Sequence, residues 1–176
     1  MDGDDISIVN RFEEQLKTIK TADRKTVVCS TCLLIDENGN KIGKWKDDSK
    51  YCSPTEIRKQ LPNNNCIVHP SIFVRKELLA EFFYDPEQQE SEDYDLWLQI
   101  LSDGYCIEKI PEQLLQYRVH TQSVTGSFHR KKNPFFTVAN TKRKFLINQI
   151  KKISFKSFEL AIVGTMIHDV LMGIGK

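Results

Sequence analysis

The apolar positions of this chain follow a helical period in some stretches and a strand period in others. Phe12, Leu16 and Ile19 recur at helical spacing with charges opposite, and Ser7 stands where a cap belongs, so a helix is predicted from Ser7 to about Lys20. Val27 to Ile35 is apolar and β-branched and predicts a strand. Asp36-Glu37-Asn38-Gly39-Asn40 follows, and Asn38-Gly39 between apolar runs predicts a hairpin returning through Ile42. Residues 44–52 are charged and loop-like. Ser53-Pro54-Thr55-Glu56 then starts a short helix, with serine as cap, proline in the first turn and glutamate placed for a capping box; Pro62-Asn63-Asn64-Asn65 ends it.

Cys66 to Arg75 reads as an extended segment broken by Pro70, and Lys76 to Phe82 as a helix. Ser91 is placed to cap a helix over 92–102 with Leu96, Trp97, Ile100 and Leu101 as its apolar stripe and Gly104 as its stop. Cys106 to Ile110 and Leu114 to Val119 read as two strands around Pro111, Thr121 to Pro134 as a mobile loop, and Phe135 to the end as two helices parted near Ser154. Repeats and low-complexity tracts are absent from the sequence.

Charge changes this picture more than composition does. The net charge of +1 conceals an acidic body, with 15 Lys and Arg against 22 Asp and Glu in residues 1–129, and a basic arm, with nine basic residues and no acid in 130–156. Such an arm suits an anionic partner, a lipid surface or a phosphate-bearing substrate; the alternative is a solvated helix face. No stretch resembles a signal peptide and no run reaches the roughly 20 apolar residues of a membrane span, so a cytoplasmic or peripheral location is expected. The five cysteines are expected to be reduced. Cys29 and Cys32 have the spacing of a zinc pair that Cys52 and Cys66 would complete. They lie in a predicted strand, however, where positions three apart face opposite sides, which favours buried thiols.

Two acidic clusters carry the candidate chemistry. Asp2, Asp4 and Asp5 are hard oxygen ligands in a short loop, suited to Mg²⁺ or Mn²⁺ shared with phosphate oxygens, although acidic residues before a helix also simply favour its positive end. Asp-x-Asp also occurs in aspartate-nucleophile phosphatases, in the order strand-Asp-x-Asp-x-Thr, but here Ser7 stands in place of the threonine and the strand is absent. Glu92 and Asp93 open a helix one turn before Trp97, and a carboxylate there is a candidate general base, with Asp93 preferred. Asp95, one turn further in, is expected to point to solvent or a backbone amine. His120 follows Tyr117-Arg118-Val119 at a predicted strand end.

Asp2-Gly3-Asp4-Asp5-Ile6-Ser7, Asn10 to Leu16, Ile35-Asp36-Glu37-Asn38-Gly39, His69-Pro70-Ser71, Glu92 to Trp97 and Leu115 to His120 stand in the order seen in family 2 inverting glycosyltransferases, which the chain resembles over about residues 1–125. The resemblance implies an α/β fold, an incomplete GT-A (Rossmann-like) fold with a mixed sheet flanked by helices and a C-terminal helical tail. Residues 1–130 would be the metal- and acceptor-binding half and 131–176 a basic, amphipathic tail. It implies Asp2, Asp4 and His120 as ligands of Mn²⁺ or Mg²⁺, Asp93 as catalytic base with Glu92 beside it, and His69, Ser71 and Trp97 around the donor and acceptor. Arg130, Lys131 and Lys132 are expected from charge alone to fold over the diphosphate.

The implied partners are a nucleotide diphosphate sugar and a glycan or polyprenyl-linked acceptor, as in surface polysaccharide synthesis, and no nucleic acid. The basic arm and Phe155 to Ile174 suit either a peripheral membrane contact or two helices packed on the domain. About ninety residues that precede Asp-x-Asp in the family are lacking, so the chain is expected to be weak or inactive alone. The alternative is a non-catalytic half that only binds a partner.

Overall fold

Four strands, β1 (Ile6–Ser7), β2 (Thr26–Ile35), β3 (Lys41–Lys44) and β4 (Cys106–Arg118), form one sheet in the order β1-β4-β2-β3. The computed structural model describes the chain apart from residues 2, 46, 47, 87, 89, 90, 121–132, 153, 154 and 176. β2 and β4 pair in parallel, while β1–β4 and β2–β3 are antiparallel, so the sheet is mixed. Val27, Val28, Cys29, Cys32 and Ile35 of β2 are all buried, as a strand covered on both faces requires.

The two strands expected around Pro111 are one. The register between β2 and β4 slips on either side of Thr31, so Ser30 opposes Ile110 while Thr31 opposes Gln113. Pro111, with no N–H to donate, falls in this bulge, and the Thr31 hydroxyl donates to its carbonyl at 3.0 Å.

Six helices accompany the sheet among the described residues: α1 (Arg11–Thr21), α2 (Pro54–Gln60), α3 (Lys76–Leu79), α4 (Glu92–Ser102), α5 (Pro134–Lys151) and α6 (Ser157–Ile174). α1 departs from its expected form. Asn10 occupies the cap position, and Ser7 lies in β1 opposite Leu115. The face turned inward is Arg11, Gln15 and Ile19, while Phe12 is 60% exposed and Leu16 42%. The physical reason is that carbonyls of the 69–71 turn satisfy both polar side chains.

α2 has its capping box, with the Ser53 hydroxyl accepting from the Glu56 amide and the Glu56 carboxylate from the Ser53 amide. α3 stops after one turn rather than reaching Phe82. α4 begins after Ser91, which takes a left-handed conformation at φ 54° and makes no capping bond; the expected serine cap is absent. It stops at Gly104, φ 86°, where the Tyr105 amide returns to the Ile100 carbonyl at 3.1 Å. Asp95 is buried rather than solvent-facing and accepts from Gln99 Nε2 at 2.6 Å.

The main core joins Val27 and Cys29 of β2 to Ile57, Leu61, the α4 stripe, Phe145 and Phe158, and a smaller cluster of Ile19, Val28, Ile110 and Leu114 includes the apolar residue of α1. The five cysteines are free. Cys29 belongs to the main core, whereas Cys32 packs with Val68 and Leu115. Burial pushes the Cys32 thiol up to about 12 and that of Cys66 up to about 11, which favours thiol over thiolate. Two buried ion pairs lock longer segments: Lys109 with Asp48 at 3.1 Å and Lys142 of α5 with Asp169 of α6 at 2.5 Å.

Candidate functional site

Parallel strands end on the same edge of a sheet, and α/β sheets bind ligands along that edge. β1, paired with Leu115 and Gln116, holds the preceding acidic loop beside the C-terminal end of β4. Arg118, the last residue of β4, then ties three segments together. Its backbone amide donates to Asp5 Oδ1 at 3.0 Å and its Nε to the Asp4 carbonyl at 2.9 Å. Its Nη1 donates to the Asp36 and Glu37 carbonyls of the hairpin at 2.8 and 3.0 Å.

His120 lies beyond it, with Nε2 at 2.5 Å from Asp4 Oδ2 and Nδ1 at 3.9 Å from Glu37 Oε1. The hydrogen bond from His120 is the main cause holding the Asp4 carboxyl below the usual aspartate range, with its own backbone amide and the charges of His120 and Arg118 adding to it and desolvation opposing it. Among the described residues no three His, Cys, Asp or Glu side chains assemble into a metal-ligand cluster. Asp2 lies outside the described residues, as do Arg130, Lys131 and Lys132.

A second cluster forms where α4 starts. Asn65 Nδ2 donates to Asp93 Oδ2 at 3.0 Å while its Oδ1 accepts from the Ile67 amide at 3.0 Å, so the amide is oriented from both ends. Burial is the largest influence on the Asp93 carboxyl and raises it; nearby His69, the Tyr94 amide and Asn65 oppose this, and Glu92 adds to it. Glu92 itself is exposed. The His69 ring sits 5.7 Å from that of Trp97 and 5.9 Å, edge-on, from that of Tyr84, whose hydroxyl is 3.2 Å from His69 Nε2. His69 Nδ1 and Trp97 Nε1 are buried without a hydrogen-bond partner among the described residues.

Ser71 is buried, and its hydroxyl donates to the Val68 or Ser30 carbonyl and accepts from the Ser30 amide at 3.1 Å, which anchors the turn carrying His69 to β2. The two clusters are joined through α1. Arg11 Nη2 donates to the Pro70 carbonyl at 2.7 Å, and Gln15 Nε2 to the Ser71 carbonyl at 2.6 Å. Burial lowers the Arg11 guanidinium's pKa, and the nearby Asp5 carboxylate counters it.

Asp4 thus meets His120, and Asp93 shares its surroundings with His69, itself packed on Trp97. Asn65, Tyr84 and the clamping role of Arg118 were not evident from the chain. Asn65 reads there only as part of a helix stop, because its partner is 28 residues away.

No family model matches the chain. It is 34% identical over 119 residues to an uncharacterized glycosyltransferase of Methanocaldococcus jannaschii, covering 68% of this chain and 40% of that protein. It is 36% identical over 129 residues to the O-antigen biosynthesis glycosyltransferase WbnJ of Escherichia coli, covering 72% of this chain and 49% of the relative. A third relative, the amylovoran biosynthesis glycosyltransferase AmsE of Erwinia amylovora, is 26% identical over 124 residues, 70% of this chain and 45% of its own length. The chain spans about half the length of the curated relatives it matches or somewhat less. Across more than two thirds of its residues the chain resembles glycosyltransferases, and its mixed sheet flanked by helices is consistent with a Rossmann-like fold.

Proposed function

We propose that residues 1–130 form the metal- and acceptor-binding half of an inverting family 2 glycosyltransferase, with 131–176 as a helical tail. The observation that carries this reading is the meeting of Asp4 and His120, 116 residues apart in sequence, at the C-terminal edge of the parallel strands. A carboxylate oxygen and an imidazole nitrogen there suit Mn²⁺ or Mg²⁺, which Asp4 and His120 would hold together with Asp2. When bound, the cation neutralises charge that develops on the departing diphosphate.

Asp93 serves as the base. A carboxyl raised by burial holds a proton more readily than an exposed one, which suits it to take the acceptor's hydroxyl proton as that oxygen attacks the anomeric carbon. The new C–O bond forms opposite the diphosphate, the bond to the diphosphate breaks with its electron pair, and the anomeric centre inverts. Asn65 orients the base, Glu92 stands beside it towards the acceptor, and the turn of His69 and Ser71, with Trp97 packed against His69 from the core, is assigned to the donor and acceptor; Arg130, Lys131 and Lys132 are assigned to the diphosphate. The donor is a nucleotide diphosphate sugar and the acceptor a hydroxyl of a glycan or polyprenyl-linked intermediate. The O-antigen relative favours surface polysaccharide synthesis.

Calorimetric titration of the chain with Mn²⁺ and then with uridine and guanosine diphosphate sugars tests the donor site. Saturable binding lost in Asp4→Ala supports the reading. A folded chain that binds none of them, even with Mn²⁺ present, refutes this half as an independent donor site.

A further inference from the structure

α6 turns its charged residues inward. Glu159 and Asp169 are 0% and 7% exposed. Glu159 accepts from the Ser102 hydroxyl at 2.6 Å and from the Lys156 amide at 2.7 Å, and Asp169 takes the Lys142 ammonium. With both carboxylates engaged inside, no Lys, Arg, Asp or Glu of α6 faces outward. Leu160, Ile167, Val170, Leu171, Met172 and Ile174 are instead 38–71% exposed. At about 100° per residue five of them fall within roughly 100° of the helix circumference, with Met172 about 100° further round and the exposed His168 between.

The flanks of this face decide what fits. A single partner helix needs charged flanks to set register, and α6 has no Lys, Arg, Asp or Glu outside. A bilayer surface asks for no such flanks and accepts an apolar face bordered by a histidine, here on a helix of 18 residues, about 27 Å long. The same helix is apolar enough to span, with mean hydropathy 1.4. A span would have to carry Glu159 and Asp169 into hydrocarbon and strip α6 from Phe145 and Leu146, which share a core with Phe158 and Ile162. Charge supplies the second observation. Lys151 and Lys152, both exposed, end α5, and Lys156 precedes α6, so the chain entering the apolar face is basic, with Asp95 in range of Lys152 and the Lys156 ammonium donating to the Ser102 carbonyl at 3.2 Å.

We propose that the outer face of α6, with Lys151, Lys152 and Lys156 at its N-terminal end, docks on an anionic lipid bilayer, the helix lying in the plane of the interface. This inference is independent of sugar transfer and is tested without it. The purified chain is sedimented with phosphatidylcholine vesicles and with vesicles containing 30% phosphatidylglycerol. Binding is expected to the anionic vesicles and to weaken roughly fivefold per lysine in Lys151→Ala and Lys152→Ala. It should fall at least tenfold in Leu171→Glu with an unchanged circular dichroism spectrum. Absence of binding to anionic vesicles, or binding indifferent to all three substitutions, overturns the proposal. So does a concentration-dependent dimer in light scattering that Leu171→Glu dissolves while vesicles sediment no protein, because the face then belongs to a second copy.

Discussion

Arg11 and the carbonyl of Pro70, 59 residues apart in sequence, meet in the interior at 2.7 Å. The contact fastens the helix after the acidic loop to the turn that carries His69, so the two acidic clusters share one brace. Arg11→Ala leaves the Pro70 carbonyl and Gln15 short of a partner and removes the cation facing Asp5. A loss of about 2–4 kcal/mol in urea unfolding is expected, with Arg11→Lys recovering only part, because an ammonium cannot reproduce the forked geometry.

Trp97 is 1% exposed and the largest side chain in the main core. Trp97→Ala is expected to cost about 3–5 kcal/mol, and Trp97→Phe clearly less, since the indole N–H has no partner among the described residues to lose. Equilibrium denaturation of the two variants checks the order.

Asp93 carries a cost of its own. Its folded pKa lies above the unfolded value, so the fold binds more protons than the unfolded chain between the two, and the carboxyl weakens the fold as pH rises through that window. Asp93→Asn is therefore expected to raise the melting temperature at pH 7, with the difference vanishing below the ordinary aspartate value of 3.8, while any transferase activity is lost. A melting temperature that falls at pH 7 contradicts the raised carboxyl.

Asp4 behaves in the opposite sense. His120 holds its carboxyl down, so the associated stability is present above 3.8 and lost as pH falls through the lower folded value. In His120→Ala the Asp4 carboxyl is expected to titrate closer to 3.8, measured by carbon NMR of the side chain.

The Lys142–Asp169 pair joins α5 to α6 from inside. Lys142→Met or Asp169→Leu alone leaves one buried charge unmatched and is expected to cost about 3–5 kcal/mol, whereas the double substitution should recover most of it. Thermal melts of the three variants form the cycle.

The sequence made the elements legible where local chemistry decides them: the capping box at Ser53, the Asn38-Gly39 hairpin, the Leu96–Trp97–Ile100–Leu101 stripe and the stop at Gly104. It misled where distant partners override local preference. Arg11 and Gln15 displaced Phe12 and Leu16 from the inner face because the turn at 69–71 offered them carbonyls, and Pro111 stayed in a strand because a bulge in the pairing took up its missing donor. In the candidate site, the Asp4–His120 meeting agrees with the motif order, but Asn65 and Tyr84 owe their positions to contacts across the fold that no spacing announces. The apolar character of Phe155 to Ile174 was legible, whereas the inward turn of Glu159 and Asp169 depends on Ser102 and Lys142, distant in sequence.

The parallel pairing of β2 with β4 also governs when this sheet is completed during synthesis. Thr31 and Pro111, 80 residues apart, touch across that seam, whereas β2 and β3 are joined by a tight turn. The hairpin is free to close early, but its other edge waits for the whole α2–α4 crossover to emerge, exposing unpaired backbone of Val27 to Ile35 meanwhile. Nascent chains stalled before Cys106 are therefore the species from which chaperone demand and strand-edge aggregation should arise.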